Sequence, residues 1–232
     1  MVVDGNIIWL TDIINNKIYK FDTTTDTVTS TFTLSANSYP NELDHDTSNL
    51  YVALNKPAGG NLQIAKVAKS TGAETVIDLG VANSNGGTFA TFLSGDILGW
   101  SSDSQRVGTY DIKTEAKASL TTTTNSNRFM CVVGTDFWIA GKGSADVVVM
   151  PIPASTEEGS GGGSYEPQVI PSVHINSTGE SGEHNIYLAH NNQVTITGFQ
   201  WLYLGGSAGE LVGLQIPKTA NPSSGTFAPM SY

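Results

Sequence analysis

Cysteine is nearly absent from this chain. Cys131 is the single one, so no internal disulfide can form. It lies in the apolar run Phe129-Met130-Cys131-Val132-Val133, where a thiol behaves as a small buried hydrophobe. Charge is scarce as well, at 14% of residues, and lopsided: 21 acidic against 11 basic side chains leave a net charge of −10. That balance argues against a nucleic-acid partner, which requires basic patches to neutralise phosphates. The same sign argues against an anionic membrane surface. Long apolar runs are missing too, none reaching the ~18 residues of a membrane-spanning helix. Met1-Val2-Val3 meets a turn at once, with no basic stretch or apolar core of a signal peptide. No G-x-S-x-G elbow, phosphate-binding loop or dinucleotide fingerprint occurs. The expectation is a protein without catalytic, cofactor-binding or metal-binding residues.

What the chain has instead is Ser, Thr, Asn and Gly, arranged in a repeat. The unit is clearest between Asn6 and Leu34. The turn Asp4-Gly5-Asn6 opens onto Ile7-Ile8-Trp9-Leu10. A polar loop leads to the alternating Ile18-Tyr19-Lys20-Phe21, then a turn, Asp22-Thr23-Thr24-Thr25. Last comes Thr27-Val28-Thr29-Ser30-Thr31-Phe32-Thr33-Leu34. Alternation and β-branched residues specify strands, and Asp and Thr side chains bond nearby backbone in turns. The unit is therefore a β-meander.

It recurs. The frame of apolar, two free positions, apolar, turn residue, two free positions and Thr runs from Ile18 to Thr25, Ile64 to Thr71 and Val107 to Thr114. It returns from Val149 to Thr156 with Pro153 in place of Asp. The Thr anchors fall about 42 to 46 residues apart, the period of a four-stranded propeller blade. Upstream of each lies an apolar strand: Ile7 to Leu10, Leu50 to Ala53, Ile97 to Trp100 and Phe137 to Ala140. A fifth, Gln200 to Leu204, heads a weaker copy in which Trp201 to Pro217 echoes Trp138 to Pro153.

These residues resemble YVTN- or NHL-type β-propeller repeats: a turn, an apolar strand, a polar loop, a strand ending in D-x-x-T, and a Val/Thr-rich strand. The resemblance is close in the first copy, moderate in the next three and poor after about residue 157. It implies an architecture and no activity, because propellers host lyases, glycosidases, lectins and scaffolds alike.

The fold expected is all-β, a propeller of five blades. The alternative is a four-bladed propeller followed by a small C-terminal β-domain. Residues 1–156 supply blades one to four. Residues 157–164, Glu-Glu-Gly-Ser-Gly-Gly-Gly-Ser, are a flexible linker by composition, either an engineered scar or a natural surface loop. Residues 165–232 hold the fifth blade, an irregular insertion and a closing tail. Within them Tyr165 to Val173 is placed as outer strand of the fourth blade. His174 to His190 is read as the insertion, and Gln193 to Thr197 as the inner strand of the fifth.

Several groups invite a chemical reading. Asp4, Asp46, Asp96 and Asp136 each precede an apolar strand, and paired carboxylates suit glycoside hydrolysis. Their recurrence at one register points instead to turns, where Asp favours the turn itself. Asp44-His45-Asp46-Thr47-Ser48-Asn49 resembles a calcium loop but lacks its Gly and its closing Glu. His174, His184 and His190, with Glu180 and Glu183, lack tight ligand spacing. The sequon Asn176-Ser177-Thr178 is expected by chance in such a composition. Trp9, Trp100, Trp138 and Trp201 sit on repeating strands and read as packing between blades rather than a sugar-stacking platform. The Gly-Gly pairs at 59, 86 and 205 belong to turns.

Three function classes follow. The first is a structural or binding propeller of a virion, such as a phage tail, fibre or capsid-surface component, whose partners are other protein subunits. The second is a lectin-like propeller with glycan pockets between blades. The third is a hydrolase or lyase using Asp136, Asp96 and the histidines. The low-charge outer strands and the apolar residues of Tyr165 to His190 favour docking against a neighbouring subunit.

Overall fold

The computed structural model describes residues 1–121, 127–133, 136–141, 147–153, 168–170, 187–191, 199–205, 211–217 and 229–230, and every structural statement below concerns these. Among them all regular elements are β-strands. They form five antiparallel sheets of four strands each. The first sheet holds β1 (Val2–Asp4), β2 (Ile7–Asp12), β3 (Lys17–Asp22) and β4 (Thr27–Thr33). The second holds β5 (Pro40–His45), β6 (Asn49–Leu54), β7 (Asn61–Ala68) and β8 (Glu74–Ala82). The third holds β9 (Thr88–Ser94), β10 (Ile97–Ser102), β11 (Arg106–Asp111) and β12 (Lys117–Thr121). The fourth holds β13 (Asn127–Val133), β14 (Asp136–Gly141), β15 (Val147–Pro151) and β16 (Gln168–Ile170). The fifth holds β17 (Tyr187–Asn191), β18 (Phe199–Gly205), β19 (Leu211–Pro217) and β20 (Pro229–Met230).

Within each sheet the strands pair in chain order, as a meander. First strands abut from sheet to sheet: β5 against β1 and β2, β9 against β5 and β6, β13 against β9 and β10, and β17 against β13 and β14. Three apolar cores fill the spaces between successive sheets. Trp9 and Ile18 meet Leu50, Val52 and Val67 between the first and second. Tyr51, Leu62 and Ile64 meet Leu98, Trp100 and Tyr110 between the second and third. Ile97 and Val107 meet Phe137, Ile139 and Val148 between the third and fourth.

This packing explains the three-residue spacing of the frame. Residues an odd number apart on a strand point to opposite faces. Val67 accordingly faces the first sheet while Ile64 faces the third. Tyr110 faces the second while Val107 faces the fourth. A sheet enclosed on both sides needs an apolar residue for each side, and burying one such side chain contributes about 1.5–3 kcal/mol.

The turns repeat as closely as the strands. Thr23 N donates to Asn6 O, Lys69 N to Ser48 O and Ile112 N to Asp96 O, all at 2.9 Å, tying the third strand's exit to the preceding hairpin. Four residues beyond each frame's turn residue, Asp26, Gly72 and Glu115 share a left-handed backbone, with φ of 56°, 73° and 61°. Conformation, not residue type, is what the repeat preserves there.

Two details differ from the sequence expectations, and the register of Trp100 adds a third feature. In the fourth sheet Pro151, not Pro153, occupies the place of Asp22, since Asp136 pairs with Pro151 as Ile7 pairs with Asp22. The sequence frame runs two residues late there, since a slip of two keeps every apolar residue on its own face. The fifth sheet takes Tyr187–Asn191 as its first strand, so part of the supposed insertion is strand. Gln193 to Thr197, the strand expected in that role, lies outside the described residues. Trp100 is displaced by one position from the other tryptophans. Pairing makes Trp9, Tyr51, Gly99, Trp138 and Trp201 equivalent, which turns Trp100 toward the second sheet instead of the fourth.

Candidate binding groove

The carboxylates singled out by the repeat are tied into turns. Asp46 Oδ1 accepts from Ser48 N at 2.7 Å and Asn49 N at 2.6 Å, while Oδ2 accepts from the Tyr51 hydroxyl at 2.9 Å. Burial pushes the Asp46 pKa up, and these donors together outweigh it, holding the group below the usual carboxylate range. Asp4 pairs with Lys69 Nζ at 2.6 Å, and that bond lowers its pKa. Asp96 pairs with Lys113 at 2.5 Å. Asp136 begins β14, half-buried, and burial alone raises its pKa.

The frame's own Asp residues act in the same way. Asp22 Oδ1 takes the Thr24 hydroxyl at 2.6 Å and Thr24 N at 2.8 Å. Asp111 Oδ1 takes Lys113 N at 2.8 Å and Thr114 N at 3.0 Å. The anchor threonines Thr71 and Thr114 accept from the backbone two residues on, Ala73 N and Ala116 N. Each side chain replaces a backbone partner that the tight turn cannot provide.

The segment resembling a calcium loop is also turn and strand. Asp44 Oδ2 accepts Leu93 N of the third sheet at 2.7 Å, and its Oδ1 accepts His45 N at 2.8 Å. The two carboxylates thus serve different backbone donors. No group of three or more His, Cys, Asp or Glu gathers among the described residues. His45 sits beside Lys69 Nζ at 3.0 Å, with its Nε2 3.2 Å from Val3 O. The side chains of His174, His184, His190, Glu180 and Glu183, the sequon Asn176-Ser177-Thr178 and the run 157–164 lie outside the described residues.

Trp9, Trp100 and Trp138 are buried, and none offers a face to solvent. Trp9 stacks on Phe32 with ring centroids 5.8 Å apart. Cys131 is buried, which pushes its thiol up to about 12.

A concavity among the described residues corresponds to no sequence motif. A groove of about 420 Å³ opens between the outer halves of the second and third sheets. Cross-strand register builds its two walls. On one side Tyr51, Lys66 and Thr75 lie in a row over β6, β7 and β8. Opposite them Tyr110 and Lys117 stand side by side on β11 and β12. Asn49, Asp78 and Glu115 add polar groups, and Ala68, Ala73, Ile77 and Ile112 complete the lining. Small Ala68 and Ala73 leave the volume open where Tyr or Lys would fill it. Burial raises the Tyr51 pKa most, and neighbouring Asp46 raises it further; burial also raises Tyr110, so both hydroxyls stay protonated donors. The residues come from strands far apart in sequence, and no local motif marks them.

No family model matches the chain, and no curated protein matches it. Solved structures do match. RRP9 WD40 repeats superpose with a TM-score of 0.68 at 12% identity, over 97% of this chain and 62% of that one. U3-55K gives 0.66 at 12% identity, over 91% and 59%. BamB from Moraxella catarrhalis gives 0.56 at 16% identity, over 95% and 57%. This chain therefore spans about three fifths of the structures it matches. At such identities the likeness is one of fold, and by fold the chain is a β-propeller repeat protein.

Proposed function

We infer that this chain is a non-catalytic β-propeller whose task is to hold other protein subunits together in a larger assembly. The observation that carries this is the employment of the repeat carboxylates. Asp4, Asp46 and Asp96 each hold a lysine or backbone N–H, so three of the four repeat carboxylates serve turns or ion pairs rather than an acid–base pair. The setting that suits the composition is a virion, as a tail, fibre or capsid-surface component engaged in assembly or host attachment. An exposed outer strand supports docking: β4 reads Thr-Val-Thr-Ser-Thr-Phe-Thr, with no charge and with Val28 53% exposed. Charged residues on such edges normally oppose pairing with another chain. The five sheets are taken as the blades of one ring.

The test is particle association. The protein should co-sediment with assembled particles from its source and be labelled on them by antibody. Replacing residues 171–186 by a short Gly-Ser linker spares β16 and β17, and should abolish association while the remainder melts cooperatively. Protein that stays outside every particle overturns the reading.

A second reading has its own observation. The groove between the second and third sheets has the volume and mixed lining of a small-ligand site, which suits carbohydrate binding.

A further inference from the structure

Lys66 reaches the groove from the middle of a row, flanked by Tyr51 on β6 and Thr75 on β8. Neighbouring strands lie about 4.8 Å apart, so the three side chains stand shoulder to shoulder. The other charges of the groove are placed differently. Asp78 accepts Gly80 N at 2.7 Å and Asn61 Nδ2 at 3.0 Å, and Lys117 lies close enough to act on it electrostatically. Glu115 is exposed on the turn before β12. Lys66 is half-buried, and among the described residues no hydrogen bond or salt bridge engages its ammonium. A partly desolvated ammonium gains most from an anionic hydrogen-bond acceptor.

We propose that this groove binds a sugar bearing one carboxylate, of the uronic or sialic type, with that carboxylate on Lys66 Nζ. The assignment deepens the carbohydrate reading above and rests on it. The rest of the lining selects the ligand class. Glu115 is an acceptor for hydroxyl donors, Asp78 adds negative charge from the far face of β8, and Asn49, Thr75 and Tyr110 offer further hydrogen bonds. An acidic peptide would bring more anions against those two carboxylates and few donors. A sulfated or phosphorylated polyanion would meet them too, on a protein whose net charge is −10. Ile77, Ile112 and Ala68 provide an apolar floor for the C–H face of a pyranose. The rings of Tyr51 and Tyr110 are buried, so stacking adds little and the charged contact carries a large share of selectivity.

Calorimetric titration of the full chain decides it, with glucuronic acid, glucose, sialyllactose, lactose and a tetraglutamate peptide as probes. Each acidic sugar should bind at least about tenfold tighter than its neutral counterpart, the scale of one charge-assisted hydrogen bond. Lys66→Gln should erase that ratio with the melting temperature unchanged, and Lys66→Arg should restore part of it. Should Lys66→Gln fail to fold, the wild-type ratio still reports, since it should shrink as salt rises from about 0.05 M to 0.5 M. Equal binding of acidic and neutral sugars overturns the role of Lys66 while the carbohydrate reading stands. No sugar binding overturns both. Tighter binding of the peptide overturns the proposal in favour of protein docking.

Discussion

Gly108 faces Trp100 directly across β10 and β11, and a Cβ on Gly108 would lie 2.6 Å from the indole Cε2. The glycine is the space the indole occupies. Its counterpart is Gly99, where other sheets carry Trp9, Tyr51 or Trp138 and where Phe137 of the fourth sheet now enters. The third sheet thus moved its tryptophan one residue along and reversed the face it packs. Gly108→Ala should destabilise by about 2–3 kcal/mol in urea unfolding, the cost of overpacking against an indole and the Ala118 carbonyl. Adding Trp100→Phe should recover part of that loss. Full additivity of the two would show that they do not share one space.

Glu115 holds a left-handed backbone that glycine adopts without strain, as Gly72 does at the same place in the preceding repeat. Glu115→Gly should raise stability by about 1 kcal/mol, read as a higher urea midpoint. The reverse change at Gly72 should fail, because its Cβ would meet the Phe32 ring.

The turn carboxylates should tolerate amide replacement better than deletion. Asp111→Ala should cost about 1–2 kcal/mol through the loss of two backbone donors, and Asp111→Asn clearly less. Asp96→Asn removes one largely solvated pair with Lys113 and should cost under about 1 kcal/mol. If the third function class were right, Asp96→Asn or Asp136→Asn would abolish an activity at unchanged melting temperature.

Two groups of carboxylates should give stability opposite dependences on pH. Asp4, Asp12, Asp22, Asp46, Asp78 and Asp111 all have folded-state pKa values below their ordinary ones. Their contribution is present above pH 4 or so and is lost as pH falls through the folded values. Glu42 is the reverse, pushed up by burial to about 7 and only partly offset by the Met1 amino group. What it contributes is full below its unfolded value and disappears as pH rises through 7. Glu42→Gln should therefore flatten the decline between about pH 5 and 8, by up to about 3 kcal/mol. A melting-temperature series across pH checks both limbs.

Lys69 links the first sheet to the second, reaching Asp4 and His45 from the turn after β7 with its side chain 11% exposed. Lys69→Met should leave the global melt within about 1–2 kcal/mol of wild type and speed amide exchange in Val2–Asp4 specifically. Unchanged exchange there would mean that β1 is held by its pairing with β2 alone.

The repeat, the strands and the turns were legible in the sequence because each rests on local rules. Alternation marks a strand, Asp and Thr mark a turn, and a period near 44 marks a blade. Ile18, Ile64 and Val107 fall on third strands, and Ile7, Leu50, Ile97, Phe137 and Trp201 on second strands, where the pattern put them. Register within a strand was less secure. The frame places Pro153 where pairing places Pro151, because a slip of two residues leaves each face's pattern unchanged. Trp100 sits one residue past the site Gly99 occupies because a sheet buried on both faces accepts apolar residues at both parities. Only the tertiary structure decided the groove. Lys66, Thr75, Tyr110 and Lys117 belong to two sheets, and what brings them together is the stacking of one sheet on the next with Ala68 and Ala73 between. Chain order carries no signal for that, since the contact is made by side chains about 40 residues apart through a space that small residues leave empty.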